Sequence, residues 1–169
     1  DHPGYKKVAD RGARITKSSA QSVAISEYVL GQVLAMVQRH DEQRAAQAAG
    51  EWQRIPFREI AGTNWLIVGF GPIGRATAAL AKAFGAHVTV VRRSPDTGPT
   101  VDRVGTMADL PAIVPDIDVI VLACPLNEAT RGFAGRDFFA RVKQDAILVN
   151  IARGGLIDDA ALIEVLDSG

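Results

Sequence analysis

The stretch that most constrains the fold is "LIVGFGPIGRATAALAKAFG", in which Gly69, Gly71 and Gly74 are spaced G-x-G-x-x-G. The apolar run "NWLIVGF" leads into it, a helical pattern follows, and "HVTVVRR" reads as a second buried strand. At a strand-to-helix junction, three glycines so spaced describe a phosphate-binding turn. The first makes the turn, the second lets the backbone approach a pyrophosphate, and the third lets helix pack closely on strand. The helix amino terminus offers its unpaired N–H groups to the anion. Alone the spacing is a weak signal; between these two strands it predicts a dinucleotide-binding βαβ unit.

The same alternation continues downstream. "DVIVLACP" and "AILVNIA" read as strands, and "RDFFARV" and "DDAALIEVLDSG" as helices; "SPDTGPT" is turn-rich, and a short segment surrounds "MADLPAIVPD". Strands apolar on both faces, alternating with helices, require a parallel sheet covered on two sides. The predicted fold is therefore α/β, a Rossmann-type doubly wound parallel sheet with helices on both faces. Upstream, Val23, Ile25, Val29, Leu30, Val33, Leu34, Met36 and Val37 recur at helical spacings from Ser22 onward. Apolar residues on more than one face predict a largely buried helix, turning polar and stopping near Gly50. Trp52, Ile55, Pro56 and Phe57 form an irregular apolar link suited to packing on a neighbouring layer or a partner subunit. Residues 1–21 are polar, with one extended candidate at "ARITKS".

Bulk properties narrow the function classes. The 169 residues suffice for one domain with a small appendage, and 19 basic residues balance 19 acidic ones. Such a balance gives no electrostatic reason to expect nucleic acid or an anionic membrane as partner. No apolar stretch approaches the roughly 18 residues that span a bilayer. The single cysteine, Cys124, leaves no internal disulfide framework and points to a reducing cytoplasm. The chain opens at "DHPGYKK" without a signal peptide or initiator Met and stops at "EVLDSG" within a helical pattern, so it is expected to be a piece of a longer protein.

The end of the second strand selects the dinucleotide. NAD sites place an Asp or Glu about 20 residues beyond the glycines to bind the ribose 2′-hydroxyl. Here the strand runs into Arg92, Arg93 and Ser94, with no carboxylate before Asp96. Two guanidinium groups and a hydroxyl attract a 2′-phosphate through charge-assisted hydrogen bonds. The expected cofactor is NADP(H), with NAD(H) as the alternative if both arginines are merely solvated.

Over nearly its whole length the chain resembles the nucleotide-binding domain of the D-2-hydroxyacid dehydrogenase family. The resemblance rests on "SVAISEYVLGQVLAM", "AGEW", "GFGPIG", "ACPLNEATRG" and, most specifically, "LVNIARGGLIDDAALIEVLDSG". It implies that Arg153 faces the nicotinamide and binds the carboxylate and oxo group of a 2-oxo acid, a task suited to a planar, permanently charged fork. Gly154 and Gly155 would keep the substrate space clear, and Asp158 would cap the next helix. It further implies that the backbone at Pro72 and Ile73 contacts the pyrophosphate, and that Cys124 and Pro125 line the adenosine and nicotinamide side. Ile151 and Ala152 would approach the nicotinamide, Ser18 would make another cofactor contact, and the subunits would form a homodimer. Residues 1–21 correspond to the tail of the substrate domain and its linker, and 22–169 to the dinucleotide-binding domain. The family's acid–base histidine and its orienting glutamate belong to motifs downstream of Gly169; His2, His40 and His87 match neither. The resemblance thus implies NADPH-dependent reduction of a small 2-oxo acid, such as glyoxylate or hydroxypyruvate, by a parent enzyme. The isolated chain is expected to bind nucleotide without turnover. The alternatives are a phosphoglycerate or formate dehydrogenase, or a non-catalytic, corepressor-like dinucleotide sensor on the same scaffold.

Overall fold

A computed structural model describes residues 3–16, 18–93 and 101–168. In chain order the elements are α1 (Pro3–Ala9), α2 (Ser22–Val37), α3 (His40–Ala48), β1 (Asn64–Val68), α4 (Pro72–Ala83), β2 (His87–Val91), β3 (Arg103–Gly105), α5 (Leu110–Ile113), β4 (Val119–Leu122), α6 (Arg136–Phe139), β5 (Ile147–Asn150) and α7 (Asp159–Asp167). The five strands form one sheet in the order β3-β2-β1-β4-β5, and every pairing is parallel. The chain direction across the sheet reverses at β1, so the crevice beyond β1 and β4 is the topological switch point where such folds bind ligands.

The two faces of the sheet follow the period of two along each strand. Trp65, Ile67, Val88, Val90, Val119 and Val121 point into a core shared with Val29, Val33, Ala78 and Ala81, where α2 lies against α4. Leu66, Val68, Ile120 and Leu122 point the other way, onto Ile113, Phe138, Phe139 and Leu156. All four residues of β4 are buried, as the unbroken apolar run requires of a central strand.

Four local expectations are corrected. The helix from Ser22 does not run through to Gly50. It stops at Val37, Arg39 takes a left-handed conformation (φ 55°), and α3 starts afresh at His40. Two interactions hold the break: Arg39 Nε donates to Glu42 at 2.6 Å, and the Val37 carbonyl accepts the Arg58 N–H at 2.8 Å. Second, α2 is buried on one face only; Val23, Tyr28 and Met36 are exposed. In the link after α3, Ile55 is partly buried, whereas Trp52 is wholly exposed and Phe57 mostly so. Third, no strand forms among the described residues of "ARITKS", whereas Pro3–Ala9 is helical. Fourth, a short edge strand, β3, pairs with β2 between the turn-rich stretch and the "MADLPAIVPD" segment, where the sequence pattern predicts no element.

Candidate functional site

The glycine turn is shaped by crowding on two sides and openness on the third. Gly69 has φ 104°, and a Cβ there would lie 2.6 Å from the Cys124 backbone nitrogen. A Cβ at Gly74 would lie 2.2 Å from the Gly69 carbonyl oxygen, so α4 can approach the turn only without a side chain. A Cβ at Gly71 would meet nothing within 4 Å. Gly71 is also the N-cap of α4 and supplies no side-chain cap, while Pro72 occupies the first turn, where a missing N–H costs nothing. The Ile73 and Gly74 N–H groups, in the first turn of a 12-residue helix, have no acceptor within the helix. This cradle fits the pyrophosphate of a dinucleotide.

Two crevices open from the carboxyl edge of the sheet on either side of this turn. The first, of about 350 Å³, is lined by Gly69, Gly71, Arg92, Arg93, Cys124 and Pro125, among others. The second, of about 580 Å³, is lined by Ile73, Cys124, Pro125, Ile151, Ala152 and Arg153 together with Ala123 and Leu126. Residues 123–125 are common to both, forming the partition between them. Arg92 is half-buried at the end of β2 and Arg93 is exposed; Ser94 lies outside the described residues. Ser18 is exposed, accepts the Ala20 N–H at 3.2 Å, and lines neither crevice. Burial pushes the Cys124 thiol above its usual pKa, which suits a lining residue and not a nucleophile.

Arg153 stands just beyond β5 in extended backbone, at the start of a turn over Gly154–Leu156. Its Nη1 donates to the Ala152 carbonyl at 2.7 Å, and among the described residues it pairs with no carboxylate. The rest of the guanidinium makes no hydrogen bond to the described residues. Asn150 holds the turn: its side chain donates to the Arg153 carbonyl at 2.9 Å and accepts the Ala152 N–H at 3.0 Å. Asp158 caps α7 through the N–H groups of Ala160 and Ala161, as the sequence implied. A Cβ at Gly155 would sit 3.1 Å from the Leu126 side chain, which would have to give by a few tenths of an ångström.

Several contributors carried no assigned role in the sequence. Asn150 is one, although it begins the Asn-x-Ala-Arg pattern. Asn127 and Thr130 are two more: Thr130 is buried, donates to the Pro125 carbonyl at 2.8 Å and accepts the Asn127 N–H at 2.9 Å. Together they hold the partition in place. The signal was an Asn and a Thr three residues apart just after a strand, a spacing at which such side chains close on nearby backbone.

Comparison with known proteins agrees with this geometry. Residues 30–169 match the family described as D-isomer specific 2-hydroxyacid dehydrogenase, NAD binding domain. The chain belongs to this family. Among curated relatives of this dehydrogenase domain, a D-3-phosphoglycerate dehydrogenase of Methanocaldococcus jannaschii is 34% identical, covering 100% of this chain and 33% of its own length. A hydroxypyruvate reductase of Thermotoga maritima is 31% identical, covering 100% of the chain and 55% of its own length. Among solved structures, an NADPH-dependent glyoxylate/hydroxypyruvate reductase of Sinorhizobium meliloti, in complex with NADP and sulfate, superimposes with a TM-score of 0.81. It is 28% identical and covers 91% of this chain and 50% of that one. The chain thus spans a third to about half the length of the curated relatives it matches. No helix among the described residues is long and apolar enough to cross a membrane.

Proposed function

We propose that this domain binds NADP(H) and serves hydride transfer between a small 2-hydroxy acid and its 2-oxo acid, of the glyoxylate or hydroxypyruvate type. The observation that carries the reading is the pair of crevices meeting at residues 123–125, one ending in Arg92 and Arg93 and the other in Arg153. Gly71 and the first turn of α4 receive the pyrophosphate. Arg92 and Arg93, with Ser94, hold the 2′-phosphate. Bound along these crevices, the dinucleotide supplies the hydride.

The remaining chemistry belongs to the chain. Ile151 and Ala152 form an apolar floor that excludes water from the reacting face. Arg153 binds the substrate carboxylate through two parallel N–H donors and polarises the adjacent carbonyl as charge develops on its oxygen. Asn150 keeps Arg153 at the required height. Proton transfer needs a group that neither crevice offers among the described residues: His40 lies beside Gln38 at 3.1 Å, His87 starts β2 at the opposite edge, and neither lines a crevice. An anchor for a small acid has no use in a pure nucleotide sensor, which favours the enzyme reading.

The partner and setting follow the same reading. Residues 1–21 form the end of a substrate domain and its linker, and 22–169 the dinucleotide domain. The exposed apolar side chains of α2 and the Trp52 link serve a homodimer interface. The balanced charge offers no attraction to nucleic acid, and the unpaired Cys124 suits a reducing cytoplasm. The test is to measure NADPH binding and glyoxylate reduction by the 169-residue chain, and reduction by an enzyme that carries this domain complete. Binding without turnover in the first, and turnover in the second, is expected. Reductase activity of the chain alone would overturn the assignment of the proton donor to another segment.

A further inference from the structure

Phe70 stands between the first two glycines, at a position where the turn itself asks for no particular side chain. Its ring is buried at 8% exposure and reaches both the α2–α4 core and the first crevice. Two guanidinium groups lie over this ring. The Arg75 Cζ is 4.7 Å from its centroid and the Arg92 Cζ is 5.5 Å away. Arg75 is the fourth residue of α4 and Arg92 follows the end of β2, so one ring gathers cations from two elements.

Each guanidinium gains from the negative face of an aromatic ring, and an anion bound nearby would gain from both cations. A long Arg side chain alone has many rotamers, and fixing one against a ring removes that cost before a ligand arrives. We infer that Phe70 is a positioning residue for cofactor choice: its ring holds Arg92, with Arg75 as a second cation, at the place where a 2′-phosphate distinguishes NADPH from NADH. This rests on the NADP(H) reading above and adds to it two residues, Phe70 and Arg75, outside the β2-end motif. Phe70 acts through the guanidinium groups over its ring and not on the reacting atoms. Its effect is confined to the nucleotide that carries the extra phosphate.

The test is equilibrium binding of NADPH and of NADH, followed by fluorescence, to the unaltered chain and to Phe70→Leu and Phe70→Tyr, with thermal unfolding recorded for each. Phe70→Leu keeps apolar volume but removes the ring. NADPH affinity is expected to fall by about fivefold, as for loss of a ring–cation contact, while NADH affinity stays within about twofold. Phe70→Tyr restores the ring and is expected to restore the difference. Arg75→Gln is expected to weaken NADPH alone, with a shallower salt dependence. Equal losses for both nucleotides in Phe70→Leu would reduce Phe70 to packing of the turn and overturn the inference, as would an unchanged NADPH advantage. An unaltered chain that prefers NADH would overturn the cofactor reading itself, a result distinct from either of these.

Discussion

The two edges of the sheet treat charge in opposite ways. At the amino edge, carboxylates are tied down. Asp118 accepts the Asn64 N–H at 2.7 Å and the Lys143 ammonium at 2.8 Å, joining the starts of β1, β4 and β5. Asp102 accepts the Val88 N–H at 2.6 Å and the Lys82 ammonium at 2.8 Å, joining α4 and β2 to the segment before β3. At the carboxyl edge, Arg93 and Arg153 form no ion pair among the described residues. Charge that is paired inside the chain stabilises the fold, whereas charge left facing a crevice is available to a ligand. Substitutions at the amino edge are therefore expected to cost stability, and those at the carboxyl edge to cost binding.

The glycine turn belongs to both categories and should show the largest effects. Gly74→Ala would force a methyl into the Gly69 carbonyl, which is backbone and cannot swing aside. A loss of about 3 kcal/mol, or failure to fold, is expected. Gly71→Ala meets no neighbour, so its stability should change by about 1 kcal/mol or less. Its dinucleotide affinity should fall at least about tenfold, because the methyl occupies the pyrophosphate's approach. Thermal unfolding and nucleotide titration of both variants separate these outcomes. Equal stabilities for the two would break the distinction between crowded and open glycines.

Arg153→Gln comes next. In an enzyme carrying this domain, kcat/KM for glyoxylate is expected to drop by about 100-fold or more, the usual scale for losing a preorganised donor to a developing oxyanion. The unfolding temperature should barely move, since Arg153 is exposed and, among the described residues, its side chain hydrogen-bonds only to the neighbouring carbonyl. Comparable losses in stability and activity would assign Arg153 to the fold.

Asp118→Asn probes the other edge with a smaller effect. Burial pushes the Asp118 carboxyl up, but the Asn64 N–H and the Lys143 ammonium together outweigh it and hold its pKa below the ordinary carboxylate value. A depressed carboxylate contributes stability that is complete above its unfolded pKa, near about 4, and is lost as pH falls through the folded value. Asp118→Asn should cost about 1 to 2 kcal/mol at neutral pH and soften the acid limb of the stability curve. NADPH affinity should be unchanged. A variant that unfolds in acid as steeply as the original would show that another carboxylate governs that limb.

The carboxyl edge was more legible in the sequence than the amino edge, and the reason is distance along the chain. Gly69 to Gly74 span six residues, and Arg92, Arg93 and Arg153 each follow a recognisable strand. Their context could be read from neighbours. Asp118 acts on Asn64, 54 residues away, and no local pattern announces that pairing. The edge strand β3 escaped for a similar cause: Arg103–Gly105 has little strand character and owes its conformation to pairing with β2. The break at Arg39 also lacked a Gly or Pro to mark it, because it is held by Glu42 and by the returning Arg58 backbone. Phe70 was visible as a letter between two glycines, but the guanidinium groups over its ring come from separate elements that meet only in the fold.

The central claim is that Arg92 and Arg93, at the carboxyl edge, select a phosphorylated dinucleotide. It is tested most directly by titrating the chain with NADPH and with NADH at one ionic strength, alongside the double variant Arg92→Gln/Arg93→Gln. The expected result is NADPH at least about tenfold tighter than NADH, with the advantage collapsing in the double variant and its unfolding temperature unmoved. Equal affinities in the unaltered chain, or tighter binding of NADH, would contradict it.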